Sequence, residues 1–186
     1  AYAGDFGFAT AIGSYTEGAT SAYSRVTGHM DVYAYSGYQG VSHAYGMITN
    51  SDGYARAYNV GNSTIATAVA GDFGTAVAEA SNVTAAGAAT TSNNGLIGAY
   101  AFADYQGNAY ATGSETTSTA GAAAFNGTSY SQVTAYADTD NYGYSVSNGV
   151  IVTGVTGATA ENYGYIDSHA YSDYRGMMDL TEGLIV

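Results

Sequence analysis

Residues 98–114 read GAYAFADYQGNAYATGS, and the reading of this stretch decides the fold. Alanine is the strongest helix former, whereas Tyr and Phe favour strands. Spacing separates the two. Ala99, Ala101 and Ala103 alternate with Tyr100 and Phe102, so a strand puts every alanine on one face and both rings on the other. A helix would scatter the same alanines around its circumference and leave no apolar stripe. Tyr54-Ala55-Arg56-Ala57-Tyr58 and Ala76-Val77-Ala78-Glu79-Ala80 alternate in the same way. Tyr105-Gln106-Gly107-Asn108 then turns the chain, and Ala109-Tyr110-Ala111 opens the next strand.

The stretch has sister copies. AGDFGFATA at 3–11 returns as AGDFGTAVA at 70–78, and Tyr38-Gln39-Gly40 returns as Tyr105-Gln106-Gly107, both at an offset of 67. Laying residues 1–59 on 68–126 without gaps gives 24 identities in 59 positions. Chance at this composition gives only about 6 or 7. A third copy follows at an offset of 69, in which AYSDYRG at 170–176, with Tyr174-Arg175-Gly176, matches AFADYQG at 101–107. The chain therefore divides into repeat one (1–67), repeat two (68–136) and a shorter repeat three (137–186) within one domain.

Asp52-Gly53, Asn94-Gly95, Gly107-Asn108, Asn126-Gly127 and Asn148-Gly149 break the alternating runs every 8 to 12 residues or so. Such pairs supply the positive-φ positions of tight hairpins. The expectation is an all-β chain: a tandem repeat of short antiparallel strands and β-arches, in stacked sheets or a solenoid-like coil. Faces of Ala, Gly and Ser let sheets approach more closely than the usual ~10 Å, and the opposite Tyr, Thr and Val faces form cross-strand ladders.

Composition removes several functions. Lys, Pro, Cys and Trp are absent, and three Arg stand against 15 acidic residues for a net charge of -12. Binding nucleic acid needs cations to displace counterions, so that class is set aside. No apolar run approaches the ~20 residues of a membrane helix, so membrane insertion is not expected. Twenty Tyr and five Phe argue against disorder. A start at Ala1 fits a mature extracellular product after signal-peptide removal.

Candidate chemistry is thin. Asp72-Phe73-Gly74 spells the metal-binding triplet of kinases, but the chain has no lysine and repeats the triplet at Asp5-Phe6-Gly7, which marks a turn. His29, His43 and His169 lie in unlike repeat positions and outside any HxH or HExxH pattern, so no metal site is expected. Asp138-Thr139-Asp140-Asn141 lacks the central Gly and closing Glu of an EF-hand, leaving only weak, shared Ca2+ binding by surface carboxylates and no cofactor. There is no GxSxG elbow, and a catalytic site is normally singular where this chain repeats itself, so no enzyme is expected. Asn62, Asn82 and Asn126 open N-glycosylation sequons.

A Lys-free, Cys-free chain rich in Ala, Gly, Tyr, Ser and Thr with alternating strands resembles the amyloid-like sheath proteins of methanogenic archaea and the adhesin-like repeat proteins of archaeal surfaces. The resemblance implies an extracellular, protease-resistant tube or hoop around cells. The residues themselves point to a structural subunit that pairs with itself through strand edges. The absence of Pro and Lys, which block edge pairing in other proteins, supports this, and Gly183, Leu184, Ile185 and Val186 are the apolar assembly candidates. The alternative is a lectin-like module with glycan partners and a site per repeat around Tyr38-Gln39-Gly40, Tyr105-Gln106-Gly107 and Tyr174-Arg175-Gly176. An ice-binding solenoid would need denser Thr rows than the chain carries.

Overall fold

The computed structural model describes residues 1–60, 63–178 and 182–186. The strands wind into a β-solenoid of five coils and part of a sixth. Each full coil lays one strand in each of three sheets. In the second coil these are Met30–Ser36, Val41–Ser51 and Tyr54–Asn59, and in the fourth Leu96–Ala103, Asn108–Ser118 and Gly121–Asn126. The same order of first, second and third sheet recurs in every full coil.

Each pairing among the described residues is parallel and joins a residue to its counterpart one coil away. Phe8 lies against Val41, Val41 against Thr75, Thr75 against Asn108, and Asn108 against Tyr144. The antiparallel arrangement expected from the sequence is therefore corrected. Asp52-Gly53 and Asn94-Gly95 turn corners between different sheets, so the strands flanking them never pair. Asn148-Gly149 is no turn at all and sits inside the strand Tyr144–Gly154. Alternation and glycine punctuation look alike for a corner and a hairpin, and only the pairing partner differs.

The alternation itself decides inside from outside. Ala34, Ala68, Ala101 and Ala137 form one fully buried inward column, and Ala44, Ala78 and Ala111 face them from the second sheet. Buried alanine contributes little apolar area, so the interior is thin and the parallel backbone ladder carries much of the cohesion. Bulkier buried residues complete the interior, with Ile97, Val133 and Val152 in the main alanine cluster and Met47 and Val83 in a second one.

Midway along the second sheet the strands are pinched inward at Gly13, Gly46, Ala80, Gly113 and Gly149. A Cβ on Gly46 would lie 2.7 Å from Thr64 Cγ2, and one on Gly113 would lie 2.5 Å from Val133 Cγ1. At the pinch two successive residues, such as Gly46 and Met47, point inward and the alternation changes phase. Coil length varies at the corner that returns to the first sheet. The longest coil carries its extra residues between Asn126 and Gln132, where Tyr130 is 92% exposed.

Candidate functional site

One corner, joining the first sheet to the second, is built the same way in all six coils. Its four-residue turns are Gly4–Gly7, Gly37–Gly40, Gly71–Gly74, Asp104–Gly107, Asp140–Gly143 and Asp173–Gly176. The fourth residue's N–H donates to the first residue's carbonyl at 2.9–3.2 Å in each. The third residue is left-handed though never glycine, with φ between 52° and 62° at Phe6, Gln39, Phe73, Gln106, Tyr142 and Arg175. That conformation is disfavoured for a side chain, and a bond to the neighbouring coil holds it. Phe6 N–H donates to Tyr38 O at 2.7 Å, Gln39 to Asp72 O at 2.8 Å, and Phe73 to Tyr105 O at 2.8 Å. The fourth residue must be glycine because a Cβ there strikes the strand just left; at Gly107 it would sit 2.7 Å from Ala103 Cβ.

Each turn carries one aromatic ring, and its place alternates. Phe6, Phe73 and Tyr142 occupy the third position, while Tyr38, Tyr105 and Tyr174 occupy the second. The rings mesh into a continuous ladder along the solenoid, Phe6–Tyr38–Phe73–Tyr105–Tyr142–Tyr174. Their centroids are 5.6–5.9 Å apart and their planes nearly perpendicular. Edge-to-face contacts of this kind are worth about 0.5–1.5 kcal/mol each beyond burial. Gln39 and Gln106 donate to the hydroxyls of Tyr38 and Tyr105, and Arg175 lies over the Tyr174 ring at 5.0 Å. The alternation also explains the 67-residue period of the sequence, which spans one coil of each kind.

The three tyrosines read from the sequence are thus brought to one face, although no two of them touch directly. Phe6 and Phe73, read from the sequence only as part of a repeated turn, and Tyr142 interleave with them; their kinship with the tyrosines was hidden because they are shifted by one position. The spacing of Gly7, Gly40, Gly74, Gly107, Gly143 and Gly176 carries the signal that would have found them.

Acidic residues gather beside the later rungs. Burial pushes the Asp104 carboxyl above the usual range, and the charges of Asp140 and Asp72 add to the rise. Asp138 is raised by burial and by Asp140 and Asp173, against the hydrogen bond that Tyr136 donates to it at 3.2 Å. Across the pinch, Glu79 meets Asn82, whose amide donates to Glu79 Oε1 at 2.7 Å. Burial pushes Glu79 up to about 8; the Asn82 bond opposes this, while the charge of Glu115 and a hydrogen bond to it add to it. Among the described residues no three His, Asp or Glu converge as metal ligands would.

The sequons fare differently. Asn126 is buried in a side-chain ladder, where Asn59 Nδ2 donates to Asn93 Oδ1 at 2.9 Å, Asn93 to Asn126 at 3.0 Å and Asn126 to Asn162 at 2.8 Å. Its side-chain amide is thus hydrogen-bonded within the folded chain. Asn82 lies on the outer face of the second sheet, and Asn62 lies outside the described residues. Of the tail, Glu182–Ile185 pairs in parallel with Tyr144–Gly154, with Leu184 against Val150 and Ile185 against Ile151. Leu184 and Val186 remain 44% and 63% exposed.

No family model, no curated protein and no solved structure matches the chain.

Proposed function

We propose that the chain is a structural subunit of an extracellular polymer, a stiff rod that joins to its copies by β-strand pairing into a sheath, tube or filament. The observation behind this reading is the end-to-end sameness of the solenoid. Each coil offers the next a parallel edge in the same register, and neither end of the described stack is covered. Phe8–Gly18 at one end and Tyr165–Ser172 at the other each pair on one side only. A coil from a second copy meets the same small-residue outline that an internal coil meets. The charge of -12 opposes side-by-side clumping and leaves growth along the axis as the favoured direction. The tail, held against the fifth coil, extends the second sheet by a further strand.

Electron microscopy and fibre diffraction of concentrated protein test this reading. Filaments with a ~4.7–4.9 Å repeat along their axis are expected. A monomer that stays monomeric at high concentration and gives no fibre would overturn it. Deleting residues 182–186 should weaken assembly more than folding; equal loss of both counts against edge pairing.

A second reading has its own observation, the exposed aromatic ladder, on which a neutral sugar chain could stack. It requires saturable binding on a glycan array that disappears when Tyr38, Tyr105 and Tyr174 are all changed to Ala. A flat array result removes it.

A further inference from the structure

The outer face of the third sheet departs from its surroundings in the first two coils. Ser21–Val26 pairs there with Tyr54–Asn59, placing Tyr23 beside Arg56 and Arg25 beside Tyr58. The outward side chains form a checkerboard. Arg25 and Arg56 lie on one diagonal, and the rings of Tyr23 and Tyr58 lie on the other, 5.4 Å apart. Diagonal neighbours on a sheet are about 7–8 Å apart at the backbone, so both guanidinium groups serve one small area. Beside them an open depression of about 390 Å³ is lined by Ser21, Ala22, Tyr23, Tyr54 and Arg56.

Three facts set this patch apart. It gathers two of the three cationic side chains of a chain whose net charge is -12. Neither arginine forms an ion pair among the described residues, and both are exposed. The fold does not ask for them. Repeat two carries Thr90, Ser92, Gly121, Ala123 and Phe125 at the positions of Tyr23, Arg25, Tyr54, Arg56 and Tyr58, and the sheet continues in unbroken register through those smaller residues. Outward residues differ between the two repeats along the second sheet as well, but only in this cluster does the difference bring in arginines.

We infer that this patch binds an anionic polysaccharide, with carboxylate or sulfate groups on Arg25 and Arg56 and sugar rings against Tyr23 and Tyr54. A guanidinium presents paired N–H donors at the spacing of two carboxylate or sulfate oxygens, which a hydroxyl-only sugar cannot match. Tyrosine offers a flat apolar face to the sugar and a hydroxyl to its rim. The anionic remainder of the surface repels the same polymer, so this patch alone fixes where it lands. Binding weakens as salt screens the two arginines. The site is separate from the corner ladder and does not depend on whether rods polymerise.

The test is calorimetry on the full chain with polygalacturonate, methyl-esterified polygalacturonate, dextran sulfate and neutral dextran, at low and at physiological ionic strength. Binding to polygalacturonate or to dextran sulfate is expected, and whichever binds identifies the recognised group; neither uncharged polymer should bind. Arg25→Ser with Arg56→Ala installs the residues that repeat two already carries. It should lower affinity at least tenfold without moving the thermal midpoint, whereas Tyr130→Ala, at an exposed corner of the fourth coil, should leave affinity unchanged. Failure of both anionic polymers to bind overturns the inference, as does binding indifferent to the arginine pair. Loss of self-association in the arginine variant, with no sugar bound by the unmodified chain, would assign the patch to a second copy instead.

Discussion

Gly107 closes its turn with room for a hydrogen and nothing larger. A methyl there would meet Ala103 Cβ at 2.7 Å and the Gly74 carbonyl at 3.1 Å, one contact within the coil and one across coils. Gly107→Ala should therefore destabilise by roughly 1–3 kcal/mol, the range of an overpacked core, read by urea unfolding. An unchanged midpoint would mean that the corner yields. Glu79 sets a different expectation. Its carboxyl holds a proton up to about pH 8 in the folded chain, well above the ordinary value near 4.3, so the native state binds that proton more tightly than the unfolded one. This group favours folding least at high pH: its contribution is full below about pH 4 and is lost as the pH rises through 8. Glu79→Gln keeps the shape and removes the loss, and should raise stability at pH 9 by roughly 1–3 kcal/mol relative to pH 5. Parallel pH dependence in the two proteins would show that the pair with Glu115 does not govern the titration.

Strands show what the sequence discloses and what it conceals. The alternation at 76–80 and 99–103 correctly marks Ala76, Ala78, Ala80, Ala99, Ala101 and Ala103 as inward, because side-chain direction is a property of a single strand. Parallel pairing lies between strands some 33 residues apart, and nothing local distinguishes it from a hairpin. The coil period was concealed for a related reason. Neighbouring corners swap the positions of ring and polar residue, so Asp72-Phe73 resembles Asp5-Phe6 more than it resembles Tyr38-Gln39. The arginine–tyrosine patch was legible only as a mismatch between repeats. The asparagine ladder belongs to this scale too. Asn93 donates to Asn126 Oδ1 and Gln132 O, and accepts from Asn59 and from the Gly95 N–H, all in a buried corner. Asn93→Ala strands several of those partners at about 1–3 kcal/mol for each buried group left unmet, a total of about 3 kcal/mol or more. Asn162→Ala, at an exposed rung, should cost about 1 kcal/mol. Equal losses at the two positions in urea unfolding would remove the ladder as a stabilising element.

Across the whole molecule, each coil touches little beyond the coils on either side, so stability should be graded along the axis as in other repeat proteins. Hydrogen exchange should find the slowest amides in the third and fourth coils, around Ala78 and Ala111, and the fastest in the first and last. Uniform protection from end to end would indicate a single cooperative block instead. The zigzag of rings adds a rule that no single coil contains: the rod has parity. A ring at the second turn position meshes with one at the third, so coils are of odd and even kind. Removing or duplicating one coil sets two of a kind side by side, whereas a pair can be lost, gained or exchanged without disturbing the mesh. The duplication visible in the chain is of that paired sort, and any lengthened or shortened version of this rod should count its coils in twos.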